Sequence, residues 1–145
     1  MKTSKQGIEL IKRHEGLRLV PYLCPAGVPT VGYGHTGSDV RMGAAITESE
    51  AERLLISDLL AAEAAVNREL PDINQSRFDA LVSFVYNVGA GAFGGSTLLK
   101  KIRQNSDDPT IGNEFMKWVN AGGKPLAGLV ARRKEEANLY FSYEL

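Results

Sequence analysis

A long amphipathic helix is predicted to begin near residue 47. Thr47–Glu48–Ser49–Glu50 has the composition of a capping box, with Thr47 as the N-cap and Glu50 at the third helical position. Apolar side chains then recur every three or four residues, which places them on one face of a helix. These residues are Leu54, Leu55, Leu59, Ala62 and Val66. Pro71 cannot sit in a helix interior, so we expect the helix to end before it.

The segment after Pro71 is apolar nearly all round, which is typical of a helix buried at the centre of a domain. Asn74 or Ser76 is its expected N-cap, and Gly89 and Gly91 are expected to end it. Its apolar residues are Phe78, Leu81, Val82, Phe84, Val85 and Val88. Further helices are predicted over 96–104, over 110–120 and from about Leu126 to Tyr143.

The N-terminal part of the chain shows a different pattern. A short helix is predicted over 4–14 and ends before Gly16. Residues 17–37 contain prolines and glycines that do not fit a helix interior. The strand-favouring residues among them are Thr30, Val31 and Tyr33. We therefore predict a small antiparallel hairpin or three-stranded sheet, with a turn at Pro25–Ala26–Gly27.

Together these elements predict an α+β fold. A small N-terminal antiparallel sheet lobe, about 14–46, is joined by the long helix to a larger helical lobe, about 70–145 plus the N-terminal helix. A chain of 145 residues suits a single domain, 1–145, with a substantial core. The seam between the sheet and the helices is a natural place for a cleft.

Composition and charge narrow the classes of function. Lys and Arg total 17 and Asp and Glu total 17, and a net charge of zero argues against a nucleic-acid partner. No apolar run is long enough to span a bilayer and the charged N-terminus does not resemble a signal peptide, so we expect no stable membrane insertion. One cysteine excludes an internal disulfide, and two histidines add no convincing metal site.

Candidate chemistry is concentrated in the N-terminal region. Glu15 lies where the first helix ends, so the negative end of the helix dipole favours its protonated form, which suits a general acid. A solvated surface glutamate is the alternative. Cys24 and His35 suggest a Cys–His nucleophile pair, or else a small buried thiol. The run Gly32–Tyr33–Gly34–His35 lacks the ending of a phosphate-binding loop.

An ordered set of motifs identifies a family. Glu15 is followed after eight residues by Cys24, and Cys24 after five by Thr30, which opens Thr30–Val31–Gly32–Tyr33–Gly34–His35–Thr36. This pattern resembles the phage-type lysozymes, glycoside hydrolase family 24, which are endolysins of tailed phages and prophages. The resemblance continues in order through Tyr86–Asn87–Val88–Gly89, Phe93, Ser96–Thr97–Leu98–Leu99, Trp118, Gly128–Leu129, Arg132–Arg133 and Glu136.

The resemblance implies a lysozyme-like fold and an activity. Family members hydrolyse the β-1,4 bond between N-acetylmuramic acid and N-acetylglucosamine in peptidoglycan, without a cofactor. Glu15 matches the general acid that protonates the leaving oxygen. Cys24 matches the position that most often holds an aspartate, and Thr30 matches the residue that helps to hold the attacking water.

The resemblance also implies supporting residues. His35 and Asp58 match a buried ion pair that joins the sheet to the long helix. Arg132 or Arg133 is expected to reach back to Glu15, and the sequence leaves open which one does. The residues expected to bind the sugar are Gly34, His35, Tyr86 and Ser96.

The thiol of Cys24 departs from the commonest pattern. A free thiol has a pKa of about 8.5, so only a few per cent is thiolate at neutral pH unless the site lowers that pKa. Our hypothesis is that Cys24 takes the role of the aspartate as base or electrostatic stabiliser. A covalent role for Cys24 is a less favoured alternative. A second alternative is an inactive peptidoglycan-binding protein of the same fold.

The family also suggests a setting for the activity. We expect a monomer that acts on peptidoglycan and depends on a holin, because no signal-anchor segment is visible. It would stay in the host bacterial cytoplasm until the membrane is breached, and then reach the periplasm and cell wall. Local positive charge is expected to attract the anionic polymer. The candidates are Lys100, Lys101, Arg103, Lys117, Lys124, Arg132, Arg133 and Lys134.

Overall fold

A computed structural model describes residues 1–142 and confirms the predicted α+β class. The chain divides into two compact units. We call Ile11–Leu60 the sheet unit, and Met1–Leu10 together with the chain from Ala61 onward the helical unit. The division into the two predicted lobes of a single domain stays a prediction.

The secondary structure follows the order α1, β1 to β3, α2 to α6, β4, β5, α7. The first elements are α1 (Lys5–Glu15), β1 (Arg18–Leu23), β2 (Pro29–Gly32), β3 (His35–Thr36) and α2 (Glu48–Glu69). The later elements are α3 (Gln75–Val88), α4 (Ala90–Gly94), α5 (Thr97–Gln104), α6 (Ile111–Phe115), β4 (Asn120–Ala121), β5 (Lys124–Pro125) and α7 (Ala127–Tyr140).

The sheet unit contains the predicted antiparallel sheet, with strand order β1-β2-β3. Tyr22 lies opposite Thr30, and Val31 lies opposite His35. The turn between β1 and β2 falls at the predicted place. The Gly27 N–H donates to the Cys24 carbonyl at 2.7 Å, and Gly27 has a φ of 78°, which glycine adopts without steric cost.

The long helix α2 begins with half of the predicted capping box. The Thr47 hydroxyl oxygen accepts from the Glu50 N–H at 3.1 Å, as an N-cap does. The Glu50 carboxylate accepts from the Thr47 hydroxyl at 3.2 Å. The helix ends at Glu69, before Pro71. Along the predicted apolar face the side chains are buried, except for the half-buried Leu54.

Helix α3 is the buried centre of the helical unit, as predicted. Asn74 is its N-cap, because the Asn74 side chain accepts from the Arg77 N–H at 2.9 Å. The helix stops at Gly89, but the prediction that Gly91 helps to end it is wrong. Gly91 lies inside the short helix α4, which the glycine-rich sequence concealed.

The last part of the helical unit corrects two helix boundaries. The helix predicted over 110–120 stops at Phe115, because the chain then turns into the short hairpin of β4 and β5. Gly122 and Gly123, both with positive φ, connect these strands. The final helix spans Ala127–Tyr140, and Tyr143, its predicted end, lies outside the described residues.

Two features of residues 1–142 concern membranes and metals. Every helix in this range is too short or too polar to cross a bilayer. In the same part of the chain, no three His, Cys, Asp or Glu side chains are grouped so as to hold a metal ion.

Candidate active site

In the sheet unit, the Glu15 carboxylate lies against the backbone of Gly34. Glu15 is the last residue of α1 and is half-buried. Gly34 follows β2 with a φ of 84°, and a Cβ placed on it would lie only 3.1 Å from Glu15 Oε1. Any larger residue at position 34 would therefore strain the backbone and press on this carboxylate. The sequence pattern named both residues, and the structure brings them together.

Cys24 and Thr30 lie at the base of the β1–β2 hairpin. Cys24 follows β1, and its N–H donates to the Val28 carbonyl at 3.0 Å. Thr30 is buried in β2, where its hydroxyl donates to the same carbonyl at 2.9 Å. The hairpin therefore holds the thiol and the hydroxyl on the same short stretch of paired backbone.

The hairpin backbone favours the thiolate form of Cys24. The Val28 N–H, the Ala26 N–H and the Thr30 hydroxyl all stabilise the charged sulfur, and they outweigh partial burial to lower the pKa of Cys24 below its usual value. A hydroxyl carries one hydrogen, so the Thr30 group serves either the Val28 carbonyl or the Cys24 sulfur at a given moment. This supply of donors suits an anionic side chain.

His35 bridges two carboxylates in the sheet unit. Its Nδ1 lies 2.8 Å from Asp58 Oδ2, and its Nε2 lies 2.9 Å from Asp39 Oδ1. Burial disfavours the imidazolium, but hydrogen bonds to Asp39 and Asp58 outweigh burial and raise the pKa of His35. Both ring nitrogens face carboxylates, so this arrangement gives no support to a Cys24–His35 nucleophile pair. Asp39 was not predicted, because an aspartate in a loop carries no distinctive sequence signal.

In the helical unit, Arg132 and Arg133 share one buried carboxylate. Glu136 is 0% exposed, and both arginines are buried. Glu136 Oε1 accepts from Arg133 Nη1 at 2.7 Å. Glu136 Oε2 accepts from Arg132 Nε at 3.3 Å and from the Ser83 hydroxyl at 2.6 Å. The family motifs contain Glu136 but gave it no role, and they do not contain Ser83. The pattern along one helix cannot show that two residues so far apart in sequence are partners.

The arginines also contact other parts of the helical unit. Arg133 Nε donates to the Trp118 carbonyl at 2.9 Å, and its Nη2 binds the Asn87 side chain. The Arg133 guanidinium lies 5.1 Å from the centre of the Phe84 ring. Both arginines were candidates for attracting the anionic polymer, and this prediction is wrong because their side chains are buried and paired with Glu136. The contact of Arg132 or Arg133 with Glu15 stays a prediction.

Two further predicted site residues lie in the helical unit. Tyr86 is half-buried in the last turn of α3. Ser96 is the N-cap of α5, where its hydroxyl accepts from the Leu99 N–H at 3.0 Å and donates to the Phe93 carbonyl at 2.7 Å. This capping role accounts for Ser96 without a ligand, and its contact with sugar stays a prediction.

Acidic partners neutralise much of the expected local positive charge. Glu114 binds Lys101 at 3.0 Å and Lys117 at 2.9 Å, and Glu69 binds Arg103. The ion pair with Lys117, followed by that with Lys101, lowers the pKa of Glu114. The remaining candidates are exposed and are Lys100, Lys124 and Lys134.

The chain is similar in sequence to phage lysozymes and phage endolysins. The phage lysozyme family matches residues 12–136. The endolysin of Bacillus phage B103 is 45% identical over 150 residues, covering 99% of this chain and 56% of that protein. The endolysin of Acyrthosiphon pisum secondary endosymbiont phage 1 is 43% identical over 147 residues, covering 98% of this chain and 99% of that protein. The chain thus spans about half of one relative and nearly all of the other.

Solved structures agree with the sequence relatives. The muramidase domain of SpmX from Asticaccaulis excentricus is 38% identical, with a TM-score of 0.89 that covers 98% of this chain and 99% of that one. This likeness confirms the expected lysozyme-like fold. The chain therefore belongs to the phage lysozyme family, and it is a glycoside hydrolase of the lysozyme type.

Proposed function

We propose that the chain is an endolysin that hydrolyses the β-1,4 bond between N-acetylmuramic acid and N-acetylglucosamine in peptidoglycan. The observation that carries this proposal is the arrangement of the sheet unit. It holds the Glu15 carboxyl against Gly34 and surrounds the Cys24 sulfur with donors. The printed names of the relatives, endolysin and muramidase domain, supply the substrate class.

Glu15 acts in this scheme as the general acid. Its proton passes to the glycosidic oxygen as the bond from that oxygen to C1 of the sugar breaks, which leaves an oxocarbenium-like centre. The close approach of Gly34 restricts where the carboxyl can lie. Such positioning matters because a proton donor must lie within hydrogen-bond reach of the leaving oxygen.

Cys24 takes the position of the second carboxylate. Its thiolate accepts a proton from the water that attacks C1, or stabilises the positive charge that develops there, and Thr30 helps to hold that water. The lowered pKa of Cys24 supports this role, because it increases the thiolate fraction near neutral pH. After the reaction, the Cys24 thiol releases its proton to solvent and Glu15 takes up a proton again. Every transfer uses water and the chain's own side chains, so the scheme calls for no cofactor.

The remaining functional assignments are part of the same proposal. Gly34, His35, Tyr86 and Ser96 contact the sugar, and Arg132 or Arg133 supports Glu15. The protein is a monomer that reaches the cell wall from the host cytoplasm after a holin breaches the membrane. Equal numbers of acidic and basic residues, 17 each, support the absence of a nucleic-acid partner.

Digestion of purified peptidoglycan by three proteins tests the proposal. The native chain should release fragments with new muramic-acid reducing ends. Glu15→Gln should lose about 10²-fold or more of the rate while circular dichroism shows an intact fold. Cys24→Asp should remain active, since it restores the family's commoner carboxylate. Product masses separate hydrolysis from formation of an anhydro sugar, whose product is one water lighter.

A second candidate function is binding of peptidoglycan without turnover. The thiol in a position that more often holds an aspartate favours it. Cell-wall binding by an inactive native chain, with activity gained in Cys24→Asp, would establish this alternative. Release of amino groups in place of reducing ends would contradict both candidates, because it requires peptide-bond cleavage.

A further inference from the structure

The His35 ring is held between carboxylates from two different segments of the sheet unit. Asp58, on α2, faces Nδ1 at 2.8 Å, and Asp39, in the loop after β3, faces Nε2 at 2.9 Å. The Asp58 side chain is 26% exposed and that of Asp39 is 61% exposed. The first contact is the ion pair that the family resemblance implies, whereas the second belongs to no motif in the sequence.

This geometry requires a doubly protonated ring. A neutral imidazole has one N–H and one lone pair, so it can donate to only one of two carboxylates. The other carboxylate would then face the lone pair. An imidazolium donates from both nitrogens and carries the positive charge that both anions favour. The bridge between Asp39 and Asp58 therefore exists only while His35 is cationic.

Gly37 allows Asp39 to fold back onto the ring. Its φ is 148°, and a Cβ placed on it would lie 2.8 Å from Asp39 Oδ1 and 3.6 Å from His35 Nε2. The Val40 N–H donates to the Gly37 carbonyl at 3.2 Å and closes the turn. The approach of Asp39 to His35 therefore depends on the absence of a side chain at position 37.

The bridge stands next to the proposed general acid. His35 directly follows Gly34, whose missing Cβ leaves room for Glu15 Oε1. Strand β3 has only two residues, and its register places His35 opposite Val31. So short a strand gives limited support, which makes the ring's two ion pairs important for holding Gly34 in place.

We infer that Asp39 is a positioning residue, which acts through His35 to hold Gly34 against the Glu15 carboxyl while the imidazole is doubly protonated. Its effect on hydrolysis rests on the proposed function. Its effect on the His35 ring and on Glu15 does not depend on that function, so the effect on structure and the effect on hydrolysis can be tested separately.

The charges around the ring set the direction of the pH dependence. The charged groups that face His35 are Asp58 of α2 and Asp39 of the loop. Glu15 of α1 lies beside Gly34, the residue that precedes His35. In agreement with the geometry, the pKa of His35 is raised, and its hydrogen bond lowers the pKa of Asp39. As pH rises through the raised pKa, one ring proton is lost. Asp39 should then leave first, because it is the more exposed carboxylate and hydrates readily.

Nitrogen-15 NMR of the full chain tests the bridge directly. Both ring nitrogens of native His35 should be protonated at neutral pH. Asp39→Asn removes the charge, and Gly37→Ala displaces the carboxylate without removing it, so each should lower the pKa of His35. The control Asp72→Asn removes another exposed aspartate and should leave that pKa unchanged. A neutral native ring, or a His35 pKa unaltered in Asp39→Asn and Gly37→Ala, would overturn the inference.

Two further measurements, the Glu15 carboxyl resonance and the rate of hydrolysis, test whether the bridge affects Glu15 and activity. In Asp39→Asn the carboxyl carbon resonance of Glu15 should change at neutral pH, whether or not the chain hydrolyses peptidoglycan. The rate should fall roughly two- to fivefold, and the alkaline loss of activity should move to lower pH in step with the His35 pKa. If the native chain is inactive but both resonances respond, the proposed function fails and the bridge stands. If activity is normal and Glu15 does not respond, Asp39 has no positioning role.

Discussion

The two units of the molecule hold their charged groups in opposite ways. In the sheet unit, Glu15, Cys24 and Asp39 stand at the ends of elements or in loops and retain access to solvent. In the helical unit, Glu136 and its two arginines are buried on one helix. The backbone thus places the exposed reactive groups, whereas the buried charges hold one another in place.

This difference has an energetic consequence. A partly exposed charge that loses its partner is solvated by water, so its removal changes free energy of unfolding little. A buried charge that loses its partner has no such compensation. Substitutions in the sheet unit should therefore reduce activity more than stability. Substitutions in the cluster formed by Arg132, Arg133 and Glu136 should reduce stability more than activity.

The largest expected effect is on Glu136. Glu136→Ala leaves two buried guanidinium groups without their shared carboxylate and should lower the free energy of unfolding by about 3–5 kcal/mol. Ser83→Ala, which removes one hydrogen bond to that carboxylate, should cost about 1 kcal/mol. Urea denaturation measures both, with the exposed Lys134→Ala on the same helix as control. A Glu136→Ala variant with the native urea midpoint would show that the cluster contributes little.

A smaller effect, on activity, is expected at Gly34. Gly34→Ala should reduce kcat by about ten- to a hundredfold, because the new Cβ displaces the Glu15 carboxyl. Gly43→Ala is a matched control: its φ is 87° against 84° for Gly34, but a Cβ there meets nothing within 4 Å. Both variants should lose about 1–2 kcal/mol of stability from backbone strain. Equal kcat values for the two would rule out a specific role for the contact with Glu15.

The smallest expected effect is the pH dependence of stability through His35. Burial opposes its charge, but Asp39 and Asp58 raise its folded-state pKa above the unfolded value near 6.5. Its stabilising contribution is therefore complete below about 6.5 and is lost as pH rises through the raised pKa. The urea midpoint of the native chain should fall over that interval, and the slope should be shallower in Asp58→Asn. Equal slopes in the two proteins would contradict this linkage.

Local signals in the sequence account for the elements that were predicted well. The cap at Thr47, the prolines around β1 and β2, and the apolar run of α3 each act within a few residues. The short helix α4 and the β4–β5 hairpin were missed because glycine-rich segments carry no apolar periodicity. A Gly–Gly pair at 122–123 was the available signal for that hairpin.

The site was predictable to a different extent in each unit. The family pattern names Glu15, Cys24 and Thr30, which lie close together in sequence, and their catalytic roles stay a prediction. The partners that fix charges come from distant positions: Ser83 and Glu136 are 53 residues apart. No periodicity encodes such pairs. Asp39 was missed for a related reason, since its role depends on the backbone conformation at Gly37.

We propose that the Cys24 thiolate works at a position where the family more often has a carboxylate. The most direct test compares, in the same buffers, the pH dependence of hydrolysis with that of Cys24 alkylation by iodoacetamide. Both should rise through a common midpoint below the usual thiol pKa, because the Val28 and Ala26 N–H groups and the Thr30 hydroxyl stabilise the thiolate. Thr30→Val should move both midpoints to higher pH. Hydrolysis whose rise with pH has a different midpoint from that of alkylation in a folded protein, or full activity after complete alkylation, would contradict this proposal.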